Sequence, residues 1–258
     1  MIEYIVICLV ALIASLLTFF SGFGLGTLLM PVFAIFFPLE AAIAFTGLVH
    51  FANNIVKLLL IGRKASKQVL IRFGIAAVLA SFLGAWVLIS LSYSSHLYSY
   101  TLFSHTFSVS PLNFIVALLM LGFALSEFLP LFRNIQIKRN SLIVGGLLSG
   151  FLGGLSGMQG AIRSAFLVKS GLTKESFIAT GVVIACFIDI TRLSVYASRF
   201  SDAQLGDNIP LLLAATLAAI AGAVVGKKLL KKITLKFVQI TVAILLILLA
   251  VALAMGLI

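Results

Sequence analysis

The sequence predicts an all-α polytopic membrane protein with two inverted repeats, each a broken-helix hairpin followed by three transmembrane helices. Its composition is 62% hydrophobic and 10% charged, with a mean hydropathy of +1.25, which is typical of integral membrane proteins. Two glycine-rich segments interrupt apolar stretches, and non-helical backbone at membrane depth is tolerated only beside protein or a water-filled cavity. The two halves of the chain also match each other in their polar positions. These observations exclude a large soluble domain.

The first repeat is predicted over residues 1–132 and begins with a hairpin over 4–37. This apolar stretch is interrupted by Ser21-Gly22-Phe23-Gly24-Leu25-Gly26. The piece after the interruption is too short to cross a bilayer core about 30 Å thick at about 1.5 Å per residue, so we predict two partial helices. The spans that follow are predicted at 40–61, 69–91 and 111–131. The segment 92–110 has no Lys, Arg, Asp or Glu, and we expect a polar loop along the membrane interface.

The second repeat is predicted over residues 133–258 and has the same order of elements. Residues 145–160 contain seven glycines, each of which costs about 1 kcal/mol relative to alanine inside a helix. That cost favours a broken hairpin over 141–171 instead of a continuous lipid-facing helix. The spans that follow are predicted at 174–197, 209–229 and 235–257.

A shift of 135 residues aligns the two halves so that polar positions fall on polar positions. The superposed residues are Ser21-Gly22 on Ser156-Gly157, Glu40 on Glu175, Asn54 on Asp189 and Lys57 on Arg192. We interpret this match as an internal duplication, which is common in membrane transporters. If each hairpin leaves the membrane on the side where it entered, a repeat makes three crossings. Because three is odd, the two repeats are inverted.

Basic residues support the inverted arrangement. In this topology fourteen Lys and Arg residues lie on one side of the membrane and Arg199 alone lies on the other. The positive-inside rule then places the basic side in the cytoplasm, with 92–110 and both termini outside. Topology in a lipid bilayer thus explains the net charge of +11, and we expect no nucleic-acid partner.

Polar residues inside two of the predicted spans indicate a buried site. His50, Asn54 and Lys57 share one face of the 40–61 helix, and Asp189 and Arg192 lie three residues apart on the 174–197 helix. Ionisable groups at membrane depth usually face a protein interior or a water-filled cavity. Two alternatives stay open: Lys57 can snorkel to the headgroups while His50 and Asn54 join helices, and Asp189 can be a coupling residue or half of a structural ion pair.

Arg163 is the strongest candidate in the sequence for an anion contact. It follows the second glycine break by about one turn, where a restarting helix presents free N–H groups and the positive end of its dipole. With Lys57 and Arg192, it makes three cations predicted to be buried, against the one carboxylate of Asp189 predicted to be buried with them. The predicted anion site comprises Ser21, Gly22, Gly24, Ser156, Gly157, Gln159, Gly160, Arg163, Arg192, Lys57, Asn54 and His50.

The paired glycine breaks are each followed by a short turn into the next span. These turns contain Ala44-Phe45-Thr46 and Ala179-Thr180-Gly181. In this duplicated pattern the sequence resembles the sulfite exporter TauE/SafE family, and the resemblance covers essentially the whole chain. It implies a permease of the bacterial cytoplasmic membrane for sulfur-containing anions such as sulfite or organosulfonates.

The predicted function is therefore a secondary transporter, most simply an exporter, of a small anion bound at the membrane midplane. A passive anion channel is the alternative, because charged pores and broken helices also serve conduction. The three histidines have no metal-ligand spacing, no nucleophile–base pair is evident, and no phosphate-binding loop occurs. We therefore expect no enzyme activity, no metal and no cofactor. Asp189, His50 and Glu127 are the candidates for coupling to protons.

Overall fold

Helices make up most of the described chain. The computed structural model describes residues 1–18, 24–93, 96–102, 105–128, 141–197, 205–229 and 235–257. The helices of the first half are α1 (Ile2–Thr18), α2 (Leu25–Ala34), α3 (Leu39–Ile61), α4 (Lys67–Val69), α5 (Ile75–Ser92) and α6 (Pro111–Phe128). Those of the second half are α7 (Ser141–Ser156), α8 (Gly160–Val168), α9 (Lys174–Tyr196), α10 (Leu205–Leu229) and α11 (Leu235–Ala254).

Apolar length identifies four membrane-spanning candidates among the described helices. They are Leu39–Lys64, Lys67–Ser92, Lys174–Tyr196 and Leu205–Gly226, and shorter apolar helices accompany them. A π turn over Leu70–Gly74 joins α4 to α5, so the second candidate is one continuous helix. The helix α10 begins at Leu205, before the predicted start at 209, and therefore contains Pro210. These helices confirm the predicted all-α polytopic class, while residues 129–131 of the predicted 111–131 span lie outside the described residues.

The segment between α5 and α6 contains a β-hairpin, whereas the sequence predicts only a polar loop. Strand β1 (Tyr98–Leu102) pairs antiparallel with strand β2 (His105–Val109). The hydroxyls of Tyr98 and Tyr100 donate hydrogen bonds of 2.6 and 2.7 Å to carbonyls at the C-terminal end of α11. The two strands contain Tyr, Phe, Thr and Val, which favour this conformation. An isolated strand pair is only marginally stable, so the contact with the end of α11 stabilises the hairpin.

The long helices pack in pairs. Helix α3 packs against α9, α1 against α10, α5 against α7 and α6 against α11, while α2 lies on α3 and α8 on α9. Just after α3, Lys64 forms an ion pair with Glu175 at the start of α9. The pair α3–α9 also carries the buried ionisable residues Lys57, Asp189 and Arg192, and thus forms the framework of the site.

Glycines let α5 and α7 approach closely. A Cβ atom on Gly150 would lie 2.1 Å from the carbonyl oxygen of Ala77, and one on Gly84 would lie 2.1 Å from that of Phe151. Side chains at these positions would push the two backbones apart, and small residues are the usual means of close helix approach in membranes. This contact fixes α7 and therefore positions the break that follows it.

Candidate functional site

Asp189 on α9 is the centre of a buried polar cluster. Its Oδ1 accepts hydrogen bonds of 2.9 Å from Nε of Arg192 and 3.3 Å from Nε2 of Gln159. Its Oδ2 lies 2.6 Å from Nδ1 of His50 on α3. The carboxylate is wholly buried and links α3, α9 and the break before α8. Helical spacing alone predicted that Asp189 and Arg192 can pair, and their side chains are in contact.

Gln159 connects Arg163 to this cluster. Its Oε1 accepts a hydrogen bond of 3.0 Å from Nη1 of Arg163, one turn further along α8. Its backbone carbonyl accepts a hydrogen bond of 3.0 Å from the hydroxyl of Ser149, which ties the break to α7. The sequence predicts that Gln159 contacts the substrate, whereas in the structure both ends of its side-chain amide contact protein groups.

Two glycines make room for the guanidinium of Arg192. A Cβ atom on Gly157 would lie 2.7 Å from Nη1, and one on Gly47 would lie 3.3 Å from Cζ. Gly157 has a φ of +78°, in the left-handed region that residues with a side chain rarely adopt. The break between α7 and α8 therefore brings bare backbone directly against Arg192.

The start of α2 lies against the same break. A Cβ atom on Gly26 would be 3.3 Å from the carbonyl oxygen of Gly157 and 3.8 Å from Cδ2 of His50. The turn into α2 depends on Gly24, whose φ is +120°. The first N–H groups of a helix have no partner inside the helix and carry the positive end of its dipole. The region between the two breaks therefore attracts negative charge.

Buried polar atoms beside this junction lack hydrogen-bond partners among the described residues. They are Oγ1 of Thr46 and the Nη1 and Nη2 atoms of Arg192. The hydroxyl of Tyr196, which donates a hydrogen bond to the carbonyl of Gly154, also lies close to the guanidinium of Arg192. Nη2 lies 2.8 Å from Oδ1 of Asp189 and strengthens the ion pair, although it is not aligned for a hydrogen bond. A buried polar group left without a partner costs about 1–3 kcal/mol, so a ligand with acceptor oxygens would be stabilised here.

Asn54 and Lys57 lie at the edge of the cluster. Nδ2 of Asn54 is 3.1 Å from Nδ1 of His50 and 3.2 Å from its Nε2. Lys57 is 6% exposed, so its side chain does not run along the outer surface as snorkelling to the headgroups requires. It lies close enough to Arg163 for the two positive charges to repel each other.

The remaining predicted residues belong to the two breaks. The hydroxyl of Ser156 donates a hydrogen bond of 3.0 Å to the carbonyl of Leu152 and so closes the end of α7. Gly160 is buried at the start of α8. Ser21 and Gly22 lie outside the described residues. Within the described ranges, no group of three or more His, Cys, Asp or Glu side chains is arranged to hold a metal ion.

Comparison with protein families decides the class of the protein. A family model described as Sulfite exporter TauE/SafE matches residues 7–253, which is nearly the whole chain. The chain belongs to this family. Comparison with curated proteins and with solved structures gives no match. Membership of the TauE/SafE family implies a membrane transporter of sulfite or related sulfur anions, and not an enzyme.

The site predicted from the sequence of this TauE/SafE protein does not include Gly26 or Gly47. A signal for Gly47 was present, because each helix contains a Thr-Gly pair, Thr46-Gly47 on α3 and Thr180-Gly181 on α9, although the shift of 135 residues superposes the two pairs one residue out of register. Gly47 lies against Arg192, and a Cβ atom on Gly181 would lie 3.6 Å from Nε of Arg163, which is also buried. Each Thr-Gly pair thus provides space for one guanidinium.

Proposed function

We propose that this TauE/SafE protein is a secondary transporter that exports small sulfur-containing anions, such as sulfite or organosulfonates, across the bacterial cytoplasmic membrane. The anion binds at the junction of the two hairpin breaks, against Arg192. One observation carries this proposal: Arg192 is wholly buried, and its Nη1 has no hydrogen-bond partner within the described part of the chain. The family match supports the transport class.

Arg192 is the principal anion contact in this proposal, and Arg163 is a supporting one. Nη1 of Arg163 already donates to Gln159, whereas Nη1 of Arg192 faces the bare backbone of Gly157. A guanidinium offers two parallel N–H donors that match the oxygens of an oxyanion or sulfonate. Arg192 can bind an anion with Nη1 while its Nε stays on Asp189.

The balance of buried charge favours an anionic ligand. Among the described residues, Lys57, Arg163 and Arg192 are buried basic side chains, and Asp189 is the buried carboxylate. Buried charge is costly unless it is compensated, and one carboxylate leaves an excess of positive charge. An anion on Arg192 reduces that excess, and a doubly charged sulfite does so more than a singly charged sulfonate.

The walls of the junction suit a small ligand. Gly157 and Gly47 lie against the guanidinium of Arg192 without side chains, and Gly26 lies against the carbonyl of Gly157. Thr46 adds a hydroxyl that can donate a hydrogen bond. The oxygens of sulfite or of a sulfonate head group fit donors grouped in this way. Hydrophobic walls without donors would not distinguish these anions from neutral solutes.

Two inverted repeats, over 1–132 and 133–258, would provide alternating access to this site. Equivalent helix contacts support the repeats. Gly84 on α5 lies against the carbonyl of Phe151 on α7, and a Cβ atom on Gly222 of α10 would lie 2.2 Å from the carbonyl oxygen of Leu12 on α1. With three more residues of offset than the shift of 135, the sequence pairs Gly84 with Gly222, so these glycines make the same type of contact in both halves.

Transport by the purified protein in liposomes tests the proposal. Efflux of radiolabelled sulfite should saturate and should accelerate when unlabelled sulfite is present on the opposite side. Arg192→Lys keeps the positive charge but loses the planar guanidinium with its parallel N–H donors. The affinity for sulfite should therefore fall by about ten- to hundredfold, equivalent to about 1.5–3 kcal/mol. Arg63→Lys, at an exposed position after α3, is the matched control and should transport normally.

Two results would contradict the proposal. Efflux that rises linearly with sulfite concentration and does not depend on unlabelled sulfite on the opposite side would indicate a passive channel. Normal sulfite affinity in a folded Arg192→Lys variant would show that Arg192 does not bind the anion.

A further inference from the structure

We propose that His50 and Asp189 form a proton-binding site, and that the protein binds one proton there when an anion binds on Arg192. The inference rests on the proposed function, because it takes Arg192 as the anion contact. It adds a second ligand, the proton, and names the pair of side chains that carries it.

The hydrogen bonds of Asp189 leave one oxygen for His50. Oδ1 already receives Nε of Arg192 and Nε2 of Gln159, whereas Oδ2 lies 2.6 Å from Nδ1 of His50. In the neutral imidazole, the proton on Nδ1 therefore points at the carboxylate and leaves Nε2 as the atom that gains the proton. The side chain of His50 is 13% exposed and that of Asp189 is wholly buried, so the proton enters through the imidazole.

Asn54 can serve both protonation states of His50. Its Nδ2 lies 3.2 Å from Nε2, where it can donate to the unprotonated nitrogen. If Nε2 gains a proton, a rotation of the amide by half a turn presents Oδ1 as an acceptor instead. The imidazole then has a hydrogen-bond partner in both protonation states. A buried side chain that gains and loses a proton requires this, because an unpaired buried polar group is costly.

The anion and the proton share a wall of the site. Gly26 lies against both the Gly157 carbonyl and the ring of His50, and Gly157 lies against Nη1 of Arg192. A negative charge bound at Nη1 is therefore close to the imidazole. Unit charges a few ångströms apart in a protein interior interact by several kcal/mol at most, which is enough to change a protonation state.

Charged groups around His50 explain why the anion is needed. Asp189 and Arg192 on α9 and Arg163 on α8 act electrostatically on His50, and Lys57 lies two turns further along α3 itself. Within the described residues, α2 and α10 also pack on α3 but contribute no charged group that acts on His50. Burial is the main factor that opposes a positive imidazole, and the two arginines add to it. An anion on Arg192 removes part of the arginines' contribution.

Calorimetric binding of methanesulfonate to the purified protein tests this coupling. The probe keeps one negative charge over the whole range, so any pH dependence of its binding comes from the protein. Between about pH 8 and about pH 6 the affinity should rise by up to tenfold per pH unit, which is the limit for uptake of one proton. Titrations in buffers with different heats of ionisation should show uptake of about one proton per bound anion.

His50→Gln should bind methanesulfonate with an affinity that no longer depends on pH, and without proton uptake. His105→Gln, at an exposed position on β2, is the matched control and should behave like the wild type. Proton uptake by the wild type can be measured even if His50→Gln fails to fold.

Wild-type binding that is independent of pH and takes up no proton would overturn the coupling and leave the anion site intact. Persistent proton uptake in a folded His50→Gln variant would also overturn it, because another group would be titrating. A wild type that binds no methanesulfonate and no sulfite at any pH would instead overturn the proposed function, and the coupling with it.

Discussion

Gly157 joins the backbone conformation of the second break to the anion site. Its φ of +78° strains any residue with a side chain, and a Cβ atom there would lie 2.7 Å from Nη1 of Arg192. Gly157→Ala should therefore cost about 1–2 kcal/mol of stability and abolish sulfite transport, because the methyl group occupies the place of the anion. Melting temperature and liposome transport measure the two effects.

Gly171 provides a matched control for backbone strain. It has a φ of +72°, and a Cβ atom there would meet nothing within 4 Å. Gly171→Ala should lower the melting temperature to a similar extent but leave transport intact. Equal loss of transport in both variants would mean that strain, and not occupation of the site, explains the effect of Gly157→Ala.

The ion pair of Asp189 and Arg192 gives a second prediction at this scale. Arg192→Ala leaves a buried carboxylate without its main cation, and breaking such a pair costs about 3–5 kcal/mol. Protein yield should fall together with transport, although His50 and Gln159 still contact Asp189. The double variant Asp189→Asn, Arg192→Gln should recover yield better than transport. If the single and double variants have the same yield, the pair contributes nothing to folding.

Single residues of the site differ in how far the sequence predicts them. Helical spacing is enough to bring Asp189 and Arg192 together, because both lie on one face of one helix. The contacts of Gln159 depend on how α8 packs against α9, which periodicity does not encode. The sequence therefore favours Arg163, which follows the break along the chain, while Arg192 is next to the break only in three dimensions.

At the scale of elements, the contact between α5 and α7 is the most sensitive to added volume. A Cβ atom on Gly150 would lie 2.1 Å from a backbone carbonyl of α5, where no flexible side chain can move aside. Gly150→Ala should destabilise the protein by at least about 1–3 kcal/mol, measured by thermal unfolding in detergent.

Gly122 on α6 is the control for this prediction, because a Cβ atom there would meet nothing within 4 Å. Gly122→Ala should be neutral or should stabilise the protein by up to about 1 kcal/mol through helix propensity. An equal effect of the two substitutions would show that close packing between α5 and α7 is not what Gly150 supplies.

The positions of the helices in the sequence are easier to predict than the helix against which each one packs. Apolar runs gave the positions of α3 and α9 to within one residue at each end, because burial in lipid demands a minimum apolar length. The β-hairpin escaped prediction, because a short strand pair is stable only with something to pack on, here the end of α11. The pairing of α1 with α10 and of α5 with α7 likewise depends on the whole assembly.

At the scale of the whole molecule, the predicted orientation can be tested with cysteines. Ser99 on β1 and Gln68 on α4 are exposed, and the inverted topology places them on opposite sides of the membrane. In a background with Cys8 and Cys186 replaced by alanine, Ser99→Cys should react in intact cells with an impermeant thiol reagent. Gln68→Cys should react only after the cells are opened. The reverse pattern would refute the orientation.

The central claim is that a sulfur oxyanion binds at Nη1 of Arg192, where the two hairpin breaks meet. Selenite has the shape and charge of sulfite and contains a strong anomalous scatterer, so crystals soaked in selenite locate the anion directly. We expect an anomalous peak beside the guanidinium of Arg192, with an oxygen about 2.9 Å from Nη1. An anomalous peak elsewhere, for example at Arg163 alone, with none at Arg192, would contradict the account.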